Sequence, residues 1–175
     1  MKLKIFVTLV VVFALGIYVA RRVPTTVHVE HTFNAPVAKV WAVWTDPEAM
    51  KQWWSPTDYT APVIRSNLQV GGRFLYAMKS PKGEMSWNAG TYTEIVPLQK
   101  IVSTMSFSDE NGRAMTGAEI KIPGVWPDSI GVVVEFKDLG AKTLVSVTET
   151  GIPAIMKLFA SMGWTQQFEK FEKLL

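Results

Sequence analysis

Residues 33 to 54, which read FNAPVAKVWAVWTDPEAMKQWW, decide the fold of this chain. The stretch begins at the end of a predicted strand and contains two short helices separated by a turn. Val37, Trp41 and Trp44 recur at spacings of four and three, the pattern of a helix with one apolar face. Asp46 stands directly before a proline and is expected to cap the second helix. The stretch therefore predicts a domain that opens with a strand and two helices.

The chain after this stretch consists mainly of strands and ends in a helix. A final segment from Pro153 to Leu175 fits a helix of about 34 Å. Strands in a run followed by a helix predict an α+β fold with an antiparallel sheet, and a long helix lying on a curved sheet leaves a cavity between the two. The predicted strands are Thr25–Phe33, Tyr59–Gln69, Arg73–Lys79, Met85–Val96, Gln99–Ser108, Ile130–Lys137 and Leu144–Thr150.

Two features interrupt this pattern. Residues 109 to 128 have little periodicity, and a loop of this length in a compact domain is often functional or mobile. Gly163 lies in the middle of the last predicted helix, where glycine costs about 1 kcal/mol relative to alanine. We expect either a kink at Gly163 or another group packed closely against it.

The N-terminus carries a membrane signal. Lys2 and Lys4 precede an apolar run, Ile5 to Ala20, which Arg21 and Arg22 close. As a helix this run covers about 24 Å, against a hydrocarbon core of about 30 Å. We expect an uncleaved single-pass anchor with the domain outside the cytoplasm; the alternative is a cleaved signal peptide and a secreted or periplasmic protein.

The predicted domain organisation is an anchor or signal peptide over residues 1–22 and a ligand-binding domain over residues 25–175. The net charge is +3 and the basic residues are scattered, so no nucleic acid partner is expected. The chain has no Cys, which excludes disulfides, thiolate catalysis and zinc–thiolate sites. His28 and His31 are three residues apart on a strand and cannot chelate one metal together. No catalytic residue, metal or cofactor is predicted.

Aromatic side chains are the main candidates for a binding site. Arg73 could pair with a ligand carboxylate or phosphate, although an ion pair with Asp58 or Glu94 is the more ordinary expectation. The strand residues Glu94, Glu135 and Glu149 are expected at the surface. The predicted ligand-binding residues are Trp54, Tyr76, Trp87, Phe107, Trp126, Phe159, Met162, Trp164, Arg73 and His31.

Four stretches of this sequence resemble one protein family: FNAPVAKVWAVWTDPEAMKQWWSP, VGGRF, AGTYTEIVP and the terminal GWTQQFEKFEKLL. They are similar, in the same order, to the homologues of the activator of the heat-shock chaperone ATPase, in the START-like superfamily with polyketide cyclases and lipid-transfer domains. The resemblance implies a helix-grip fold, in which a curved antiparallel sheet of about seven strands wraps round a long C-terminal helix and encloses a pocket for an apolar ligand.

Three functions are compatible with this resemblance. The first is a membrane-tethered or exported domain that binds a hydrophobic small molecule or lipid between the sheet and the C-terminal helix. The second is an enzyme of cyclase or dehydratase type, which needs a carboxylate or histidine with a perturbed pKa inside the pocket. The third is a chaperone-interaction module.

Overall fold

The computed structural model of this protein describes residues 13–175. It confirms the predicted α+β fold, with all seven predicted strands present. Two short helices follow the first strand and one long helix ends the chain. The elements are β1 (Pro24–Phe33), α1 (Val37–Thr45), α2 (Pro47–Trp53), β2 (Thr60–Ser66), β3 (Arg73–Lys79), β4 (Met85–Val96), β5 (Lys100–Ser108), β6 (Ile130–Asp138), β7 (Thr143–Pro153) and α3 (Lys157–Glu172).

The seven strands form one antiparallel sheet with the order β1-β7-β6-β5-β4-β3-β2. Strands β2 to β7 follow one another as neighbours, and β1 closes the sheet by pairing with β7. The helix α3 packs against β1 and against α2. This arrangement is the predicted helix-grip fold, in which one face of the sheet is directed toward the C-terminal helix.

A cluster of buried aromatic rings forms where α3 meets the first strand and the two short helices. Phe33, Trp53 and Phe171 are fully buried there. The Phe171 ring centroid lies 4.7 Å from that of Phe33 and 5.1 Å from that of Trp53. Asp46 caps α2 as predicted, because its Oδ1 accepts a hydrogen bond from the backbone N–H of Glu48 at 3.0 Å. These contacts fix the position of one end of α3.

Lys170 ties α3 to the segment that follows α2. Its Nζ donates to Ser55 Oγ at 2.9 Å and to the carbonyl oxygens of Pro56 at 2.7 Å and Tyr59 at 2.9 Å. Hydrogen bonds from a charged donor are stronger than those between neutral groups. The lysine therefore holds the helix against the loop at residues 54–59.

Replacing Lys170 with Met should lower the free energy of unfolding by about 2 kcal/mol, because partly buried carbonyl oxygens lose their charged donor. Urea denaturation of wild type and variant measures the difference. Lys173→Met, an exposed lysine one turn further on, is the matched control and should change stability little. Equal losses in the two variants would contradict the role assigned to Lys170.

The C-terminal helix starts later than predicted. The strand β7 continues to Pro153, which pairs with Pro24 at the start of β1, and Thr25 Oγ1 donates to the carbonyl of Ile152 at 2.9 Å. A short 3-10 turn, Ala154–Met156, then leads into α3. The sixteen residues of α3 span about 24 Å rather than the predicted 34 Å.

The membrane prediction requires a correction. Residues 1–12, which contain half of the apolar run Ile5–Ala20, lie outside the described residues. Residues 13–22 are helical, and this part covers about 15 Å, half of a hydrocarbon core. Among residues 13–175 no helix is long and apolar enough to cross a membrane. The predicted localisation, which depended on a single-pass anchor, is therefore wrong, and the predicted membrane partner is not supported.

Candidate functional site

A cavity of about 300 Å³ lies between the inner face of the sheet and α3. It exists because the sheet curves away from the helix, so that side chains from the two surfaces do not meet in the middle. Close-packed protein interiors hold few voids larger than a water molecule, so this space is more than a packing defect. Five of the seven tryptophans of the chain border it: Trp44, Trp53, Trp54, Trp126 and Trp164.

The strand register aligns four inward-facing residues in one row across the sheet. Glu149 on β7 pairs with Val132 on β6, Val132 pairs with Ser103 on β5, and Ser103 pairs with Tyr92 on β4. All four border the cavity. Because neighbouring strands lie about 4.8 Å apart, the first and last members of the row are separated by roughly 14 Å along the sheet.

Glu149 is a carboxyl group inside the cavity wall. It is only 6% exposed, and its strand neighbours on both sides, Val27 and Val132, are apolar. Burial raises the pKa of Glu149 to about 7, and a hydrogen bond from the Trp164 side chain opposes this rise in part. Near neutral pH this carboxyl group is therefore divided between its protonated and ionised forms.

Three hydroxyl groups form a hydrogen-bonded chain at the other end of the row. The hydroxyl of Tyr92 lies 2.7 Å from that of Tyr76 and 2.8 Å from Ser66 Oγ. Burial raises the pKa of both phenols above their ordinary value, and the neighbouring Tyr92 contributes to the rise at Tyr76. Both remain protonated near neutral pH. Three hydroxyl protons serve two bonds within the chain, which leaves one proton to be donated elsewhere.

The helix α3, which forms the cavity wall opposite the sheet, contributes a buried amide group and a position without a side chain. Gln167 is 6% exposed, and its Oε1 has no hydrogen-bond partner. Gly163 also borders the cavity, and a Cβ added there would have no neighbouring atom within 4 Å. Close packing against Gly163, one of the two alternatives expected there, is therefore wrong, since the glycine faces empty space.

The segment between β5 and β6 is ordered by an ion-pair cluster. Arg113 Nε lies 3.1 Å from Asp109 Oδ2, and its Nη2 lies 2.9 Å from Glu119 Oε1. The backbone N–H and hydroxyl of Thr116 also donate to Glu119. Hydrogen bonds from Arg113, followed by those from Thr116, lower the pKa of Glu119 to about 2. The cluster gives this otherwise irregular segment a defined shape.

The end of the same segment reaches the cavity. Ile122 and Trp126 border it, and the Trp126 Nε1 donates to the carbonyl of Ile122 at 3.3 Å. The Trp126 ring packs edge-on against Phe107, with the ring centroids 4.9 Å apart. The long loop therefore closes part of the cavity wall.

The structure brings half of the predicted ligand-binding residues to the cavity. A second group does not border it: Met162 is 49% exposed, Phe107 packs on Trp126, and the side chain of Trp87 alternates with the inward-facing Asn88. The role of every predicted residue in ligand binding remains a prediction. The cavity-bordering members are Trp54, Tyr76, Trp126, Phe159 and Trp164.

The two predicted polar ligand contacts also lie away from the cavity. Arg73 is exposed at the start of β3, where its neighbour Phe74 points inward. His31 faces inward, but its ring packs on Phe33 and Phe168, and its Nε2 lies 3.5 Å from Glu172 Oε2. Neither residue borders the cavity.

The polar groups that do border the cavity include several that the sequence did not single out. Glu149, predicted at the surface, is buried in the wall, whereas Glu135 is exposed as expected and Glu94 pairs with Lys100 at 2.7 Å. The sequence did contain a signal for the burial of Glu149, because alternate residues of a strand share one face and Val145 and Val147 therefore lie on the same face as Glu149. Gln167 had no comparable signal, since the amphipathic pattern of its helix is weak.

A family model described as Activator of Hsp90 ATPase homolog 1-like protein matches residues 34–175 of this chain. The match begins within the stretch that decides the fold and extends to the last residue. No curated protein matches the chain.

Solved structures share the fold at low sequence identity. A protein from Chromobacterium violaceum is 22% identical, with a TM-score of 0.71 over 86% of this chain and 97% of that one. An AHSA1 protein from Silicibacter pomeroyi is 18% identical, with a TM-score of 0.68 over 85% and 96%. A protein from Arthrobacter aurescens is 21% identical, with a TM-score of 0.71 over 85% and 84%. At these identities the likeness shows the fold alone.

Proposed function

This chain belongs to the family of Activator of Hsp90 ATPase homolog 1-like proteins, within the START-like superfamily, and from that premise we propose that it binds a hydrophobic small molecule or lipid in the cavity between the sheet and α3. The observation that carries the proposal is the cavity itself, about 300 Å³ with mainly apolar walls and a few buried polar groups. Ligand pockets begin at about this volume and have this mixture of surfaces.

Binding would be driven by burial of apolar ligand surface, which contributes roughly 25 cal/mol per Å². The polar groups at the two ends of the row, Glu149 and the hydroxyls of Tyr76 and Tyr92, would then orient the ligand. Phe159, which borders the cavity and is 63% exposed, marks a place where the cavity reaches the surface.

Binding explains this site better than catalysis does. Glu149 meets the requirement set for a cyclase- or dehydratase-type enzyme, since it is a carboxyl group in the cavity with a raised pKa. In such a reaction, however, an acid must reach the carbonyl oxygen of the substrate while a base reaches its α-carbon. Only the carbonyl carbon separates these two atoms, so the acid and the base must lie close together. Glu149 and Tyr92 stand roughly 14 Å apart along the sheet, which suits two ends of an extended ligand. A chaperone partner stays a prediction.

Filling the cavity from the helix tests the proposal. Gly163→Leu should weaken binding of decan-1-ol about tenfold or more, because the new side chain extends into space that the ligand needs. Tryptophan fluorescence can report the titration, since five tryptophans border the cavity. Thr165→Leu adds the same side chain at an exposed position of the same helix and should bind like wild type.

Two results would count against binding in the cavity. One is a wild-type protein that shows no saturable response to decan-1-ol. The other is a Gly163→Leu variant that folds normally, as judged by its urea midpoint, and binds decan-1-ol as tightly as wild type does.

A further inference from the structure

We propose that the ligand of this cavity is a lipophilic amine, held as its ammonium ion by Glu149 and Gln167, with its apolar body extending along the sheet toward Tyr92. This inference rests on the proposed function, because it names the chemical class of the molecule that the cavity binds. It concerns residues that the family resemblance does not assign to any role.

The charges of the cavity wall exclude an anionic head group. Among the described residues, those that border the cavity include one carboxyl group, Glu149, and no Lys, Arg or His. A fatty-acid carboxylate or a phosphate would therefore meet a like charge and find no cation to pair with. The basic candidate from the sequence, Arg73, lies on the other face of the sheet.

The buried polar atoms near α3 need hydrogen-bond donors. The Gln167 Oε1 is an acceptor without a partner. The nearby Trp164 side chain favours the ionised form of Glu149, and within residues 13–175 no basic side chain forms an ion pair with this carboxyl group. An ionised carboxylate offers about four acceptor sites, so most of its capacity is free. An ammonium group brings three donors and the charge that a buried carboxylate lacks.

Aromatic rings next to Glu149 complete the environment that a cation requires. Trp164, whose side chain lies close enough to Glu149 to lower its pKa, is stacked parallel to Trp44 with ring centroids 6.3 Å apart. Both rings border the cavity, as do three further indoles. Ammonium ions are attracted to the faces of indole rings, and the attraction increases when the cation is removed from water. A neutral alcohol would gain neither this attraction nor the ion pair.

Binding of an ammonium ion requires the ionised form of Glu149, so affinity should depend on pH. With the pKa of Glu149 at about 7, decylamine should bind about thirtyfold more weakly at pH 5.5 than at pH 8. Among residues 13–175, the other titratable groups on the inner face are Tyr76, Tyr92 and His31, the last of which lies opposite Val145 and contacts Glu172 of α3. On the outer side of β1, His28 bonds to Thr148 and lies 3.2 Å from Glu30.

The test compares three probes that share one apolar chain: decylamine, decan-1-ol and decanoate. Each is titrated at pH 8 into wild type, Glu149→Gln and Glu135→Gln. The last variant removes an exposed carboxylate from the adjacent strand and is the matched control. Wild type and Glu135→Gln should bind decylamine at least tenfold more tightly than decan-1-ol, and decanoate most weakly. In Glu149→Gln the preference for the amine should vanish, while decan-1-ol binds within about threefold of wild type.

The outcomes separate this inference from the proposed function. If decan-1-ol binds and decylamine binds no better, or if decanoate binds best, the amine is the wrong class while the cavity remains a binding site. A preference for decylamine that persists in Glu149→Gln, or that does not change between pH 5.5 and pH 8, likewise overturns the role of Glu149. If no probe binds to wild type, both proposals fail together.

Discussion

Phe171→Ala should lower the free energy of unfolding by about 3 to 5 kcal/mol, the usual cost of removing a buried phenylalanine. Phe171 is fully buried, and its ring contacts Phe33, Trp44 and Trp53 at centroid distances of 4.7, 5.6 and 5.1 Å. These three rings come from β1, α1 and α2, so one side chain joins the C-terminal helix to the start of the domain. Small domains are stable by about 5–15 kcal/mol, and the variant should therefore lose a large part of its stability.

Urea denaturation measures this loss, and the same helix supplies the control. Phe159→Ala removes the same side chain from a position that is 63% exposed, and it should cost less than about 1 kcal/mol. If the two variants unfold at the same urea concentration, the contacts of Phe171 do not hold the helix as the structure indicates.

Glu149→Gln should make the protein more stable above pH 7, by up to about 3 kcal/mol. In the unfolded chain this carboxyl group loses its proton near the ordinary pKa of 4.5, whereas in the folded chain burial raises the pKa to about 7. Between these values the folded state binds more protons than the unfolded state does. The free energy of unfolding of wild type therefore falls as pH rises from 4.5 to 7 and levels off above pH 7.

The glutamine variant has no proton to lose, so this part of the pH dependence should disappear. Urea denaturation at pH 4.5, 6 and 8 should show a stability difference between the two proteins that is small at the lowest pH and largest at the highest. The other titratable groups are present in both proteins, so their contributions cancel in the difference. A difference that does not change with pH would contradict the burial of Glu149. Glu135→Gln should show no such pattern.

Most of the fold follows from short-range sequence patterns. The stretch from residue 33 to residue 54 forms the strand end and the two helices that its spacing predicts, and β3 and β4 have the predicted bounds. Turns at glycine pairs and prolines separate the strands, and such signals depend on neighbouring residues alone. The start of α3 was missed because it depends on a distant contact, the pairing of Pro153 with Pro24.

The site was harder to predict because it depends on which face each strand presents. The strand β4, MSWNAGTYTEIV, alternates poorly between polar and apolar residues, and its pattern did not show that Asn88 rather than Trp87 points inward. Val145 and Val147 indicate that Glu149 lies on the inward-facing side of β7. A surface position was nevertheless predicted for Glu149, because buried carboxyl groups are rare in proteins. A residue that breaks such a rule within an otherwise consistent pattern is a candidate for function.

The empty space in front of Gly163 has a consequence for how such a sequence persists over generations. Alanine at this position would meet no steric obstacle and would favour the helix by about 1 kcal/mol. Random substitution combined with selection for folding alone would therefore tend to replace the glycine with a larger residue and to close the cavity. Selection for the open volume itself would favour lineages that retain glycine here. Among descendants of this protein, the residue at position 163 should thus distinguish those that still need a guest molecule from those that have lost that need.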